Sequence, residues 1–290
     1  MTTHTPMTTP TEVPAGRAPH DTPAVGRLGI GLRALLALAA TLASYLLLLA
    51  LPALPGMDPV PDALAGNWGL ALVKQAIPML TVPLLAIGLI ALLTRFVDRR
   101  PFRMTGLALD ARSVPALLLG TALSLLVVVP ASVLLTRLQL VPAPVPGGGE
   151  PLWVTVVGTL VVGYAMQGMP EEFIWRGWLT QSIGGSPRRQ ATIAAIAFGL
   201  IHLASNGGHA VWWQGAIYIA AAGAFGFAAA ALYFATGSLW AAVGIHGGFH
   251  LGYLCAELLG GGQGWQPQLV QIAGYTLIGV ALMRRLPASA

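Results

Sequence analysis

Two adjacent carboxylates and an arginine, Glu171, Glu172 and Arg176, stand in the run Pro170-Glu-Glu-Phe-Ile-Trp-Arg176 of an otherwise lipid-like stretch. Two later stretches, Phe198-Gly-Leu-Ile-His202 and His246-Gly-Gly-Phe-His250, put three imidazoles in equally apolar surroundings. Ionisable side chains at membrane depth cost roughly 2.5–3.5 kcal/mol each on insertion scales, and they mark functional sites. The chemistry on offer is acid–base. A carboxylate in an apolar cavity gains basicity and can take a proton from water. Imidazole can donate to a developing tetrahedral oxyanion. A metal alternative uses the same residues. His246 and His250 share one helical face at the spacing of zinc-binding helices. With Glu171 they would form a His/His/Glu zinc site with an open position, His202 being a further candidate ligand. No serine or cysteine stands beside the set, which disfavours a covalent nucleophile.

The elements that must position these groups are membrane helices. Hydrophobic residues make up 56% of the chain and charged residues 9%, against roughly 25% charged in soluble domains. A bilayer-crossing helix needs about 20 apolar residues. Eight such runs are expected, at about 30–51, 77–93, 114–135, 152–179, 191–204, 211–235, 239–258 and 269–283, separated by Pro- and Gly-rich breakers. The expected class is an all-α, polytopic helical bundle over 27–286. It is preceded by a disordered Thr/Pro-rich tail, 1–26, that lacks the apolar core of a signal peptide. A single cysteine, Cys255, excludes an internal disulfide.

The net charge of +5 does not point to nucleic acid, because the basic residues gather at alternate helix ends rather than along one face. Arg17, Arg27, Arg95, Arg99, Arg100, Arg103, Arg112, Arg188, Arg189, Arg284 and Arg285 fall on one side of an eight-span protein, against Lys74 and Arg137 on the other. The positive-inside rule then makes both termini cytoplasmic.

Depth and helical phase bring the polar motifs together. Counted from the cytoplasmic ends of the fifth and seventh runs, His202 and His250 lie about twelve residues in, or ~18 Å. Glu171 lies ~16 Å from the same side and His246 one turn shallower. Glu172 and Arg176 form an i, i+4 pair in the favourable order. Arg176 is expected to neutralise Glu172 and reach toward the cytoplasmic interface, leaving Glu171 for chemistry. Gly244, Gly248 and Gly252 make a small-residue packing stripe opposite the two histidines of that helix. Each feature alone reads as structure: an ion pair, a satisfied histidine, a packing face. Their common depth is what points to a site. His4, His20 and His209 stand in tail or loop and carry no assigned role.

At these residues the chain resembles the membrane-embedded CaaX prenyl endopeptidases and their bacterial relatives, the Abi or bacteriocin-processing and immunity proteins (the CPBP family). Their pattern is Glu-Glu-x-x-x-Arg, then Phe-x-x-x-His, then His-x-x-x-Asn or Asp. Glu171-Glu172-Phe-Ile-Trp-Arg176 and Phe198-Gly-Leu-Ile-His202 match the first two. His246-Gly-Gly-Phe-His250 matches the third except at its last position. The likeness covers about 152–258. It implies Glu171 as general base, His202 holding the attacking water, and His246 stabilising the oxyanion. His250 would stand where the family has an amide or acid. Glu172, Arg176 and Phe198 would shape the site. Family members, once discussed as metalloproteases, are described as using glutamate-activated water, so no cofactor is favoured. The zinc alternative stays open because His250 can bind metal where an amide cannot.

The leading expectation is therefore an intramembrane endopeptidase acting on a membrane-associated peptide or protein, lipidated or bacteriocin-related, entering from the cytoplasmic side. The alternative is a non-catalytic immunity or assembly factor on the same scaffold. A proton-coupled transporter would need inverted repeats and broken helices in both halves; the sequence offers neither, and its buried polar residues are confined to the second half. The Arg-rich, Lys-poor composition fits a multi-pass protein of a bacterial plasma membrane.

Overall fold

The computed structural model describes residues 26–145, 149–204 and 211–286. The expected tail lies outside them except for Gly26, as do His4, His20 and His209. Among the described residues every regular element is helical. Eight long rods follow one another. They are α1 (Arg27–Ser44), α2 (Trp68–Leu92), α3 (Ser113–Arg137), α4 (Leu152–Ile183), α5 (Pro187–Ile201), α6 (Trp212–Thr236), α7 (Leu239–Leu258) and α8 (Trp265–Arg285). They coincide in order with the eight apolar runs. The largest boundary difference is in α2, which starts at Trp68 rather than near residue 77. Its first turns carry Lys74, paired with Asp62 of the preceding short helix, and Gln75. Polar residues there hid a helix that hydropathy alone could not follow.

The burial pattern is that of a lipid-solvated protein. Leu84, Leu126 and Leu277 are about two-thirds exposed, whereas Glu172, Arg176, Gln181, Gln190 and Gln271 are buried. Soluble proteins show the reverse, because water rewards exposed charge and buried leucine. Five regions among the described residues are long and apolar enough to cross a membrane: Gly29–Ala53, Trp68–Val97, Ser113–Arg137, Leu152–Ile183 and Trp212–Thr236. The chain is an integral, polytopic membrane protein. The rods α5, α7 and α8 are shorter or less apolar, and α7 is the one that carries His246, His250 and the glycine stripe.

Specific contacts define two ends. At one, Asp98 accepts from Arg33 at 3.0 Å and Arg100 at 2.9 Å, and Arg100 also reaches Ser182 at the end of α4. Arg188, opening α5, donates to the Met283 carbonyl near the end of α8. At the other end, Gln266 of α8 donates to the Leu140 carbonyl, and the Trp213 and Trp265 rings meet edge to face at 5.1 Å. The arginines gather at the first end.

Close helix approach sets the middle of the bundle. A Cβ added at Gly244 would sit 2.1 Å from the Leu117 carbonyl oxygen, and one at Gly248 2.7 Å from the Thr121 Cα. The glycine stripe thus docks α7 on α3, the small-residue packing that lets membrane helices approach backbone to backbone. On the side turned to α4, Gly247 lies against the Tyr164 ring and Gly163 against His250. These contacts lock α4 to α7 and turn His246 and His250 inward.

Candidate active site

The reactive turn of α4 is bracketed by irregular helix. Wide π-helical turns, Val161–Gly168 and Phe173–Thr180, flank the α-helical Met169–Glu172. Pro170 supplies a reason: it has no N–H to give the Met166 carbonyl and its ring crowds that turn. Extra residues per turn re-aim the side chains, and π segments recur at functional sites.

Glu172 and Arg176 are both shut away from solvent, with side-chain exposures of 0% and 1%. Arg176 Nη1 donates to Glu172 Oε1 at 2.9 Å, as the i, i+4 order implies. Arg176 does not extend to an interface, contrary to expectation. Its guanidinium lies 4.3 Å above the Phe198 ring and 6.0 Å from Phe225. Aromatic faces hold a buried guanidinium that lipid could not. Gly226 makes the space, since a Cβ there would meet Arg176 Nη2 at 2.8 Å.

Glu172 Oε1 also takes a bond from His246 Nδ1 at 3.0 Å. That oxygen already accepts from Arg176, so Nδ1 carries the proton. In the neutral ring Nε2 is then the acceptor nitrogen, and only a doubly protonated His246 could donate from Nε2. His202 is tied the same way, its Nδ1 2.7 Å from the Phe198 carbonyl, which can only accept. Phe198 thus serves both motifs: its ring carries Arg176 and its carbonyl fixes the His202 tautomer.

These groups share one cavity of about 310 Å³. Glu171, His202, His246 and His250 all line it, with Phe198, Phe225 and Phe249 as apolar wall and Gln167, Gln271 and Tyr253 as polar wall. Among the described residues no Ser, Thr, Cys or Lys side chain is in that wall. Glu171 Oε1 lies 3.4 Å from the Tyr45 hydroxyl. Sequence reasoning passed over Tyr45, Gly226, Gln167, Gln271 and Tyr253. Each is a single residue in an apolar run, and only the packing shows what it faces.

The cavity does not lie toward the arginine-rich end, the side from which substrate entry was expected. It runs from Glu171 and His246 to Gln268 in the first turn of α8, Tyr218 near the start of α6, and His202 just beyond the end of α5. Because α5 starts at Pro187 and ends at Ile201, His202 sits at its far end. A second cavity of about 350 Å³ adjoins the first, sharing His250 and Tyr253, with Gln75, Glu150 and Glu257 on its wall.

The zinc alternative turns on the geometry of the two α7 histidines. The His246 and His250 rings are near-parallel, 13° apart in plane, with centroids 5.7 Å apart. They stack rather than converge on a point about 2 Å from each, as zinc ligation requires. Among the described residues no three His, Cys, Asp or Glu side chains form a metal-holding group. The donor set does not fit a zinc ion in this arrangement.

Residues 151–252 match the family model of the Rce1-like type II CAAX prenyl endopeptidases. The match runs from the start of α4 to Gly252 in α7, well under half of the chain. It includes Glu171, Glu172, Arg176, Phe198, His202, His246 and His250, and leaves out α1 to α3 and α8. Over these residues the chain is similar to CAAX-protease-like, membrane-embedded endopeptidases. No curated protein matches the chain.

Proposed function

We propose that this chain hydrolyses a peptide bond of a membrane-associated substrate using water activated by Glu171. The observation that carries the reading is the cavity wall, where one carboxylate and three imidazoles meet and, among the described residues, no Ser, Thr, Cys or Lys side chain stands by to act as a covalent nucleophile. The Glu171 carboxylate takes a proton from water while the water oxygen attacks the scissile carbonyl carbon. His202, its Nδ1 committed to Phe198, offers Nε2 as acceptor for the second water hydrogen. The negative charge passes to the carbonyl oxygen. His246 meets that charge from Nε2 in its doubly protonated form, with Glu172 as counter-ion at Nδ1. The tetrahedral intermediate then breaks its C–N bond, and Glu171 returns the proton to the leaving nitrogen. Preorganised donors of this kind supply the largest share of acyl-transfer catalysis. His250, stacked on His246 and shared by both cavities, lines the path of the substrate chain.

Access follows from the cavity's position. With the arginine-rich end in the cytoplasm of a bacterial cell, the cavity faces the opposite side, so the cleaved segment is presented from outside the cytoplasm. Substrate trapping in membranes tests the reading. Glu171→Gln keeps the shape and removes the base, so it should retain a membrane-associated protein that wild type cleaves. Cleavage by purified Glu171→Gln at the wild-type rate would refute the mechanism.

A further inference from the structure

Helix α1 lies outside the segment that matches the family model, yet it reaches the turn that carries Glu171. The helix breaks at Tyr45 and resumes over Leu46–Ala50. The Tyr45 hydroxyl lies 3.2 Å from the Met166 carbonyl and 3.4 Å from Glu171 Oε1. Met166 is four residues before Pro170, so its carbonyl is the one that proline cannot serve. One turn away along α1, the Thr41 hydroxyl accepts from Trp175 Nε1 at 3.1 Å. Thr41 and Tyr45 therefore meet Trp175 and Glu171 in antiparallel register, four residues apart on each helix.

We propose that Tyr45 is a positioning residue for Glu171, holding the carboxyl group both before and after it takes a proton. The inference rests on the reading of Glu171 as the general base. A hydroxyl has one hydrogen and two acceptor lone pairs. Facing ionised Glu171, Tyr45 gives its hydrogen to Oε1, which turns the carboxylate and leaves Oε2 to receive the proton from water. Once Glu171 is protonated on Oε2, Oε1 is a neutral carbonyl oxygen and a weaker acceptor, and Tyr45 shares its hydrogen between Oε1 and the Met166 carbonyl. No proton leaves Tyr45 in either step. The Met166 carbonyl, opened by Pro170, is what gives the hydroxyl its second acceptor.

The test compares Tyr45→Phe with Thr41→Val, which removes the companion bond without touching the carboxyl. The infrared difference between wild type and Glu171→Gln, in proteoliposomes, isolates the Glu171 carboxyl bands. Tyr45→Phe should move those bands and Thr41→Val should leave them in place. Turnover is read on internally quenched peptides with and without a prenylated C-terminal cysteine. Losing a hydrogen bond to a charged group should lower kcat by on the order of 10–100-fold, with KM nearly unchanged, in Tyr45→Phe alone. Installing 3,5-difluorotyrosine at position 45 keeps the shape and should also move the bands, which covers poor folding of the phenylalanine variant. Unmoved Glu171 bands in both position-45 variants overturn the proposal. So does an equal loss of turnover in Tyr45→Phe and Thr41→Val, which would mean that α1 only docks. The infrared arm needs no substrate, so it decides the contact even if Glu171→Gln proves fully active and the hydrolase reading falls.

Discussion

Glu172→Gln tests the electrostatics beneath the site. Glu172 is fully buried and its Oε1 serves both Arg176 and His246, while Oε2 has no partner. The amide can keep Oε1 as acceptor, but it removes the charge that balances Arg176 and places an NH2 where Oε2 had nothing to meet. At 1% exposure Arg176 gains no water in exchange. Its contacts with Phe198 and Phe225 exist already in the intact pair, so they offset nothing new. Breaking one side of a buried ion pair costs about 3–5 kcal/mol, or about two to three and a half orders of magnitude in the folding equilibrium. Scaled as for soluble domains of this size class, the midpoint of thermal unfolding should fall by roughly 6–20 °C. Tryptophan fluorescence of detergent-purified protein reports it, since Trp175 and Trp178 lie in the same buried segment. Replacing both partners, Glu172→Met with Arg176→Met, should restore most of the stability, because apolar pairs of similar volume often match or exceed buried ion pairs. Activity should stay lost, since His246 would have no counter-ion. A Glu172→Gln midpoint within about 2 °C of wild type would show that no charged pair holds this core, and the argument would fail.

The same structure makes three shorter predictions. Gly244→Ala should lower stability by about 1–3 kcal/mol through overpacking, because its Cβ would meet the Leu117 carbonyl at 2.1 Å. Denaturation in mixed micelles measures it, and an unchanged midpoint would mean that α3 and α7 are not in backbone contact. His250→Asn should keep substantial activity, and turnover should resist chelators. One tightly held zinc per chain, with activity lost on chelation, would overturn the metal-free mechanism. Reporter fusions after Arg103 and Arg285 should read cytoplasmic, and one after Gly149 external. Gln268→Cys in a Cys255→Ser background should react with impermeant maleimide from outside, and labelling only from the cytoplasmic side would reverse the direction of access.

Much of the helical order was legible because lipid asks one thing of a spanning segment, a long apolar run, and that requirement is local. The motif residues were legible for the complementary reason: a charge in such a run is costly enough to stand out, as Glu171, Glu172 and Arg176 do. The glycine stripe of α7 could be read too, since its period places Gly244, Gly248 and Gly252 on one face. What periodicity could not carry was direction. Arg176 was expected to reach water because the sequence names no aromatic partners, and only the fold places Phe198 and Phe225 over its guanidinium. Depth counting kept His202 inside the fifth run, read to residue 204, whereas the α-helix ends at Ile201 and His202 lies just past it. The tautomers of His202 and His246 depend on acceptors four residues away in one case and 74 in the other. Tyr45 is one of several hydroxyls in a leucine-rich run, 126 residues from the carboxylate it meets. Local free energy writes helices and misplaced charges into the sequence, but which neighbour satisfies a buried polar group is decided by packing between distant segments, and that exists only in the assembled bundle.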